Sequence, residues 1–335
     1  MRLTTVGLIV TLAFVILVTP LAAKAQPLAH SPKVGWLEGS GRTDKEHLHA
    51  VFLEGLRELG YVAGQNLVLV RRDMEGQFDR LPALAAELAQ LPVDVIVTTG
   101  GVPATRAAMQ ATTTIPIVMA ESGNPVGTGL IASLARPGGN VTGLTSGGPT
   151  AGRRLQLLKE AASGVARVAV LYHPTFPATV LNLHEAQDAA PALGVTVLPM
   201  EVRTLDEFDN QFAAVIQSGA DALLTVAGPF AETHRRRILE LATTHRLPTA
   251  CAAWQDTELG CLIAYGTSLA AMYRRAASYV DKILKGTKPS DLPVEQPMKF
   301  ELSINPSMWP LLSSPLEHFL PLLSHILHIV LIKIY

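Results

Sequence analysis

From Lys33 onward the chain alternates short apolar runs with longer segments whose apolar residues recur at helical spacing. No other feature constrains the fold as much. Residues 33–37 (KVGWL) read as a buried strand, followed by a Gly39-Ser40-Gly41 loop. Thr43 with Glu46 makes a capping box for a helix whose Leu48, Val51, Phe52, Leu56 and Leu59 share one face, and Gly60 stops it. Strands are expected at 67–70, 93–98, 115–119 and 141–144. Helices are expected between them: one capped by Asp79, one at 103–111 and a short one at 129–134. A second series begins near Ala151, with helices at 154–162, 178–193, 208–218 and 230–245 and strands at 168–172, 195–200, 222–226, 248–252 and 261–265. A long helix at 269–284 closes it. Successive parallel strands need a crossover, and a helix supplies it. The expected class is therefore α/β, with parallel sheets covered by helices on both faces.

The two series echo one another. Asp94-Val-Ile-Val-Thr98 leads through Gly100-Gly101 and a helix to Ile115-Pro116, and Asp221-Ala-Leu-Leu-Thr225 leads through Gly228 and a helix to Leu247-Pro248. Repetition of one half-domain gives two similar lobes; chance likeness between two βαβ units is the alternative. At 335 residues the chain is long enough for two domains. Open α/β sheets take ligands at the carboxyl ends of their strands. That rule nominates loops 38–41, 99–103 and 120–125 in the first lobe and 173–177, 227–230, 253–255 and 266–268 in the second.

Hydrophobic residues make up 48% and charged residues 16%, which excludes a disordered chain. A formal charge of -1 excludes the basic footprint of a nucleic-acid binder. Residues 1–25 read as a signal peptide: Arg2 precedes an apolar run at 6–21, and Ala23-Lys24-Ala25 fits a small-x-small cleavage site. The mature protein would begin at Gln26 and, with no cysteine near that site, would be free in the periplasm without a lipid anchor. An uncleaved membrane anchor is the alternative, against which Pro20 breaks the run. Cys251 and Cys261 could pair in an oxidising compartment or serve as two small buried hydrophobes.

The sequence offers no catalytic constellation. It has no Walker A, G-x-S-x-G or HExxH motif and no paired-cysteine zinc spacing, and Asp44 stands where a dinucleotide fingerprint after Gly39-Ser40-Gly41 wants glycine. His47 and His49 read as ordinary solvated residues and Arg235-Arg236-Arg237 as an exposed helix face. No enzyme activity, metal or cofactor is expected. A binding cleft is. Ser40 lies in the first nominated loop. Thr99-Gly100-Gly101 opens a helix with Pro103 in its first turn, where free N–H groups attract an anion; a plain tight turn is the alternative. Glu121 and Ser122 could meet an ammonium and a hydrogen-bonding group, or be a solvated loop. Gly228 opens the matching loop of the second lobe, and Tyr172, Trp254 and Tyr265 could stack on a ligand or belong to the core, as Trp36 does.

Several longer phrases carry a family resemblance. They include Gly55-Leu-Arg-Glu-Leu-Gly-Tyr61, Ala111-Thr-Thr-Thr-Ile-Pro-Ile-Val118, Asn124-Pro-Val-Gly-Thr-Gly129, Ser133-Leu-Ala-Arg-Pro-Gly-Gly-Asn-Val-Thr-Gly143 and Tyr279-Val-Asp-Lys-Ile-Leu-Lys-Gly286. From about Val34 to Asn305 the chain resembles ABC transporter substrate-binding proteins of the tryptophan/tyrosine-binding type, with a type I periplasmic-binding fold. The resemblance implies two Rossmann-like lobes, a hinge crossed more than once, and a small molecule closed between the lobes for delivery to an ABC permease. It divides the chain into 33–147 plus about 269–290, and 148–268 plus about 298–305. A monomer with no nucleic-acid partner is expected. A sensor for a receptor kinase or chemoreceptor is the alternative, and a periplasmic enzyme receives no support. Asn124-Pro125, Tyr172-His173-Pro174 and Ala227-Gly228-Pro229 depart from the family's usual residues on cleft loops, and 306–335 forms a divergent hydrophobic tail.

Overall fold

The computed structural model describes residues 31–41, 44–146, 150–162, 164–226, 228–307 and 330–334. The expected signal peptide, the Thr43 capping box and residues 308–329 of the tail lie outside them.

The first sheet is fully parallel. β1 (Lys33–Glu38), β2 (Val68–Asp73), β3 (Val95–Thr98), β4 (Ile117–Met119) and β5 (Val141–Gly143) lie in the order β2-β1-β3-β4-β5. β1 is flanked on both sides, by β2 and β3, and its Val34, Trp36 and Leu37 are fully buried. β2 is an edge, so its Arg71, Arg72 and Asp73 reach water while still completing the ladder to β1.

The second sheet holds β6 (Arg167–Tyr172), β7 (Thr196–Glu201), β8 (Ala222–Thr225), β9 (Thr249–Cys251), β10 (Ile263–Thr267), β11 (Phe300–Ile304) and β12 (Val330–Ile334). Their order is β12-β11-β10-β9-β8-β6-β7, parallel except for the β10–β11 pair. Taken in chain order, the first five strands of this sheet repeat the 2-1-3-4-5 arrangement of the first. The two echoing segments, Asp94–Thr98 and Asp221–Thr225, form the third strand of each set.

Helices cover both faces of both sheets. α1 (Lys45–Glu58) and α9 (Leu269–Leu284) pack over Trp36 and Val95 through Phe52, Leu56, Tyr273 and Val280. α2 (Leu81–Gln90) and α3 (Val102–Ala111) cover the opposite face through Leu88 and Ala108. α4 (Thr150–Ala161) and α5 (Pro177–Leu193) cover one face of the second sheet, and α6 (Leu205–Gln217) with α8 (Arg235–Thr244) the other. Each large side chain so buried contributes about 1.5–3 kcal/mol. α9 is capped by the Ser268 hydroxyl, which accepts from Ala271 N. It lies so close to α1 that a Cβ on Gly55 would sit 3.0 Å from Ala277 Cβ.

The chain passes between the sheets three times: after β5, between β10 and α9, and along the segment before β11. That last segment is held to the first sheet by Thr142 Oγ1, which donates to Leu292 O at 2.7 Å, and by an isolated bridge between Leu144 and Glu295.

Several local expectations are corrected. The helix expected at 129–134 is a run of turns, because the N–H groups of Leu130 and Ile131 both return to Pro125 O and Gly129 sits at φ +71°. Asp79 lies inside a 3₁₀ turn at Phe78–Arg80 and does not cap α2. The helix expected at 230–245 breaks at His234 (φ -106°, ψ 15°) into α7 (Pro229–Thr233) and α8. Cys251 and Cys261 form a disulfide, which decides the alternative left open by the sequence.

Candidate ligand-binding cleft

The carboxyl end of β1 carries a buried carboxylate. Glu38 is 1% exposed, and its Oε1 accepts from the Ser40 hydroxyl at 2.6 Å, the Thr99 hydroxyl at 2.6 Å and Ser40 N at 3.2 Å. Its Oε2 accepts from the Trp36 indole at 3.2 Å. These donors replace the water that burial removes. The register of β1 on β3, with Leu37 opposite Thr98, brings Thr99 to Glu38. Ser40 and Thr99 thus spend their hydroxyl protons inside the first lobe.

The next loop opens α3. Gly100 has φ +75°, and a Cβ there would overlap the Gly39 carbonyl, so only glycine fits between the β1 and β3 loops. Gly101 is the N-cap residue of α3 at φ 79°, ψ -147°, a region of backbone space almost confined to glycine. The Gly100 N–H points at Glu121 Oε1, 3.3 Å away, and the Tyr273 hydroxyl lies 3.4 Å from the same atom. Part of the anion-attracting helix start is thereby matched by a carboxylate of the protein itself.

Between the carboxyl ends of the two sheets lies a cavity of about 410 Å³, within the range of small-molecule sites. Gly100, Gly101, Arg106, Glu121 and Asn124 line it from the first lobe, and Phe176, Asn182, Gly228, Arg235 and Trp254 from the second. Of the residues nominated from the sequence, the fold brings Gly100, Gly101, Glu121, Gly228 and Trp254 to the cavity wall. Ser40, Thr99, Ser122, Tyr172 and Tyr265 are not among the lining residues. The Tyr172 hydroxyl donates to Glu201 Oε2 at 2.8 Å, and the Tyr265 ring stacks on Phe300 with centroids 5.6 Å apart.

Two arginines of the second lobe escaped the sequence reading. Arg235 is 7% exposed rather than part of an exposed face. Its Nε donates to Glu232 O at 3.1 Å and its Nη1 lies 3.5 Å from Asp256 Oδ1. The signal was present: Arg235 shares its helical face with Ile238, Leu239 and Ala242. Arg154 likewise shares a face with Leu157, Leu158 and Ala161, is 1% exposed, and lines the cavity. Burial pushes its guanidinium down to about 10, against the pull of the Glu185 and Asp256 charges. The loop nominated at 253–255 opens the 3₁₀ turn Trp254–Leu259, closed at its base by the Cys251–Cys261 disulfide, and this turn brings Trp254, Gln255 and Asp256 to the cavity.

The lobes also touch across the mouth. Gln255 Nε2 donates to Asp44 Oδ2, and the Phe78 and Phe176 rings meet with centroids 5.9 Å apart. His49, expected in water, packs edge-on against Trp36 at 4.9 Å. Among the described residues no group of three or more His, Cys, Asp or Glu is placed to hold a metal ion.

The comparisons agree with this architecture. The crystal structure of an ABC domain in complex with L-Trp from Streptococcus pneumonia superposes with a TM-score of 0.78 at 23% identity, covering 83% of this chain and 93% of that one. A conserved domain protein from Vibrio cholerae superposes with a TM-score of 0.81 at 24% identity, covering 91% and 100%. The tyrosine-binding protein of Clostridioides difficile (strain R20291) is 24% identical over 254 residues, 76% of this chain and 73% of that protein. The profile of one family matches residues 42–312, most of the chain, and this protein belongs to it: the ABC transporter substrate binding proteins.

Proposed function

We propose that the protein captures an amino acid between its lobes in the periplasm and presents it to the permease of an ABC importer. The observation that carries this reading is the cavity itself. It sits at the carboxyl ends of both sheets and is walled by polar groups of both signs and by the apolar faces of Phe176 and Trp254. Two relatives, one called a tyrosine-binding protein and one complexed with L-Trp, support an amino acid as the ligand class. A ligand held by both lobes stabilises their closed arrangement, and the closed form is what a permease would recognise. The Cys251–Cys261 disulfide and the signal-peptide pattern of residues 1–25 support export to an oxidising compartment.

Glu121 is the residue we assign to the ligand's ammonium group. It lines the cavity from the first lobe at 9% exposure. Losing a charge-assisted hydrogen bond in such a site costs about 1.5–3 kcal/mol, about tenfold or more in affinity. Titration calorimetry of L-tyrosine, L-tryptophan and the other protein amino acids against the wild type and Glu121→Gln tests both parts. Equal affinities for a bound amino acid would remove Glu121 from the site. No binding by any amino acid would remove the reading.

A further inference from the structure

Arg154 has fewer partners than its position requires. Its Nη1 donates to Thr150 Oγ1 at 3.2 Å and to Tyr265 O at 3.3 Å, both uncharged. Its Nε and Nη2 are buried and find no hydrogen-bond partner among the described residues. No carboxylate among those residues lies within ion-pair distance of it. Asp256, whose charge acts on it from further away, sits 3.5 Å from Arg235, and Glu185 Oε2 accepts from Ala151 N at 3.3 Å.

A buried guanidinium with unmade donors and no paired anion is costly, and proteins keep such groups where something else completes them. The open space that Arg154 borders is the cavity. We propose that Arg154 is an anion-holding residue of the cleft and that it takes the α-carboxylate of the bound amino acid. This rests on the amino-acid reading above. Glu121 stands on the first lobe and Arg154 on the second, so an amino acid held between them joins the lobes by its own two charges. The Gly100 N–H already faces Glu121, which leaves the second lobe as the better place for the carboxylate. Only guanidinium offers planar, paired donors to a carboxylate, so lysine would replace the charge without the fork.

The test compares L-tyrosine with L-tyrosinamide, and L-tryptophan with L-tryptophanamide, by calorimetry on the wild type, Arg154→Gln and Arg154→Lys. The wild type should prefer each acid to its amide by about tenfold or more, Arg154→Gln should reduce that preference to under about threefold, and Arg154→Lys should fall between. A preference that survives in Arg154→Gln overturns the proposal. Melting of ligand-free wild type and Arg154→Met separates this outcome from failure of the amino-acid reading and covers a variant that binds nothing. If neither amino acid binds the wild type, the ligand class is wrong. A higher melting temperature for Arg154→Met would then still mark Arg154 as held for an anion at the expense of stability. A lower one would make it a structural residue and overturn the proposal.

Discussion

Glu38 and His49 are neighbours of Trp36 whose surroundings are set by packing rather than by local sequence. Glu38 collects the hydroxyls of Ser40 and Thr99, so two residues nominated for ligand contact instead brace the end of β1. His49 is half-buried, with Nε2 lacking a partner among the described residues. Burial holds its pKa below the usual 6.5, Arg71 lowers it further, and Glu46 and Glu38 oppose the shift. The unfolded chain therefore binds the proton more readily than the folded one. His49 contributes its full share of stability above about pH 6.5, and that share is lost as pH falls through 6.5 toward the depressed folded value. His173 and His234 are shifted in the same direction, mainly by burial. Melting temperatures between pH 7.5 and 5 should fall less steeply in His49→Gln than in the wild type. Parallel curves would show that His49 carries none of the acid lability.

At the scale of elements, the junction of β1, β3 and α3 is the most constrained. Gly100 and Gly101 both have positive φ, but a Cβ on Gly101 would meet nothing within 4 Å, whereas one on Gly100 would overlap backbone of the β1 loop. Gly101→Ala should cost only backbone strain, about 1–3 kcal/mol. Gly100→Ala adds overpacking against rigid backbone, for roughly 2–6 kcal/mol in total. Urea denaturation of the two variants checks the order; Gly101→Ala proving the more damaging would contradict the packing described for this junction. The arginines of α4 and α8 teach a related lesson. Helical spacing sets Arg154 and Arg235 among apolar residues, although the run of three arginines at 235–237 reads as an exposed face. That spacing could not say that the apolar face ends at a cavity rather than in the core.

Across the whole molecule, the three chain crossings leave the two sheets facing one another, and the Asp44–Gln255 and Phe78–Phe176 contacts join the lobes at the mouth. Asp44 and Gln255 are 211 residues apart in sequence, and their hydrogen bond joins the first helix of one lobe to the disulfide-closed loop of the other. A hydrogen bond to a charged group contributes about 1.5–3 kcal/mol, less when part-exposed as here. Gln255→Ala should therefore weaken ligand binding by about fivefold, chiefly through faster dissociation. The ligand-free variant should also show a larger radius of gyration by solution scattering. Unchanged scattering and unchanged dissociation would mean that the contact does not govern closure.

The class of fold was legible because strand and helix periodicities are local, and because a parallel strand order needs the helical crossovers that the pattern displays. The echo between Asp94–Thr98 and Asp221–Thr225 was legible for the same reason, and the two segments occupy equivalent strands. The loops that meet the cavity followed from the rule that ligands bind at carboxyl strand ends, which brought Gly100, Gly101, Glu121 and Gly228 to its wall. Which side chains face the ligand space was decided by tertiary structure alone. Register turned Thr99 toward Glu38, cross-strand pairing engaged Tyr172 with Glu201, and packing of α4 and α8 drove two arginines inward. These outcomes depend on partners distant in the chain, and the direction of a loop side chain is fixed by whichever partner the fold brings within hydrogen-bond reach.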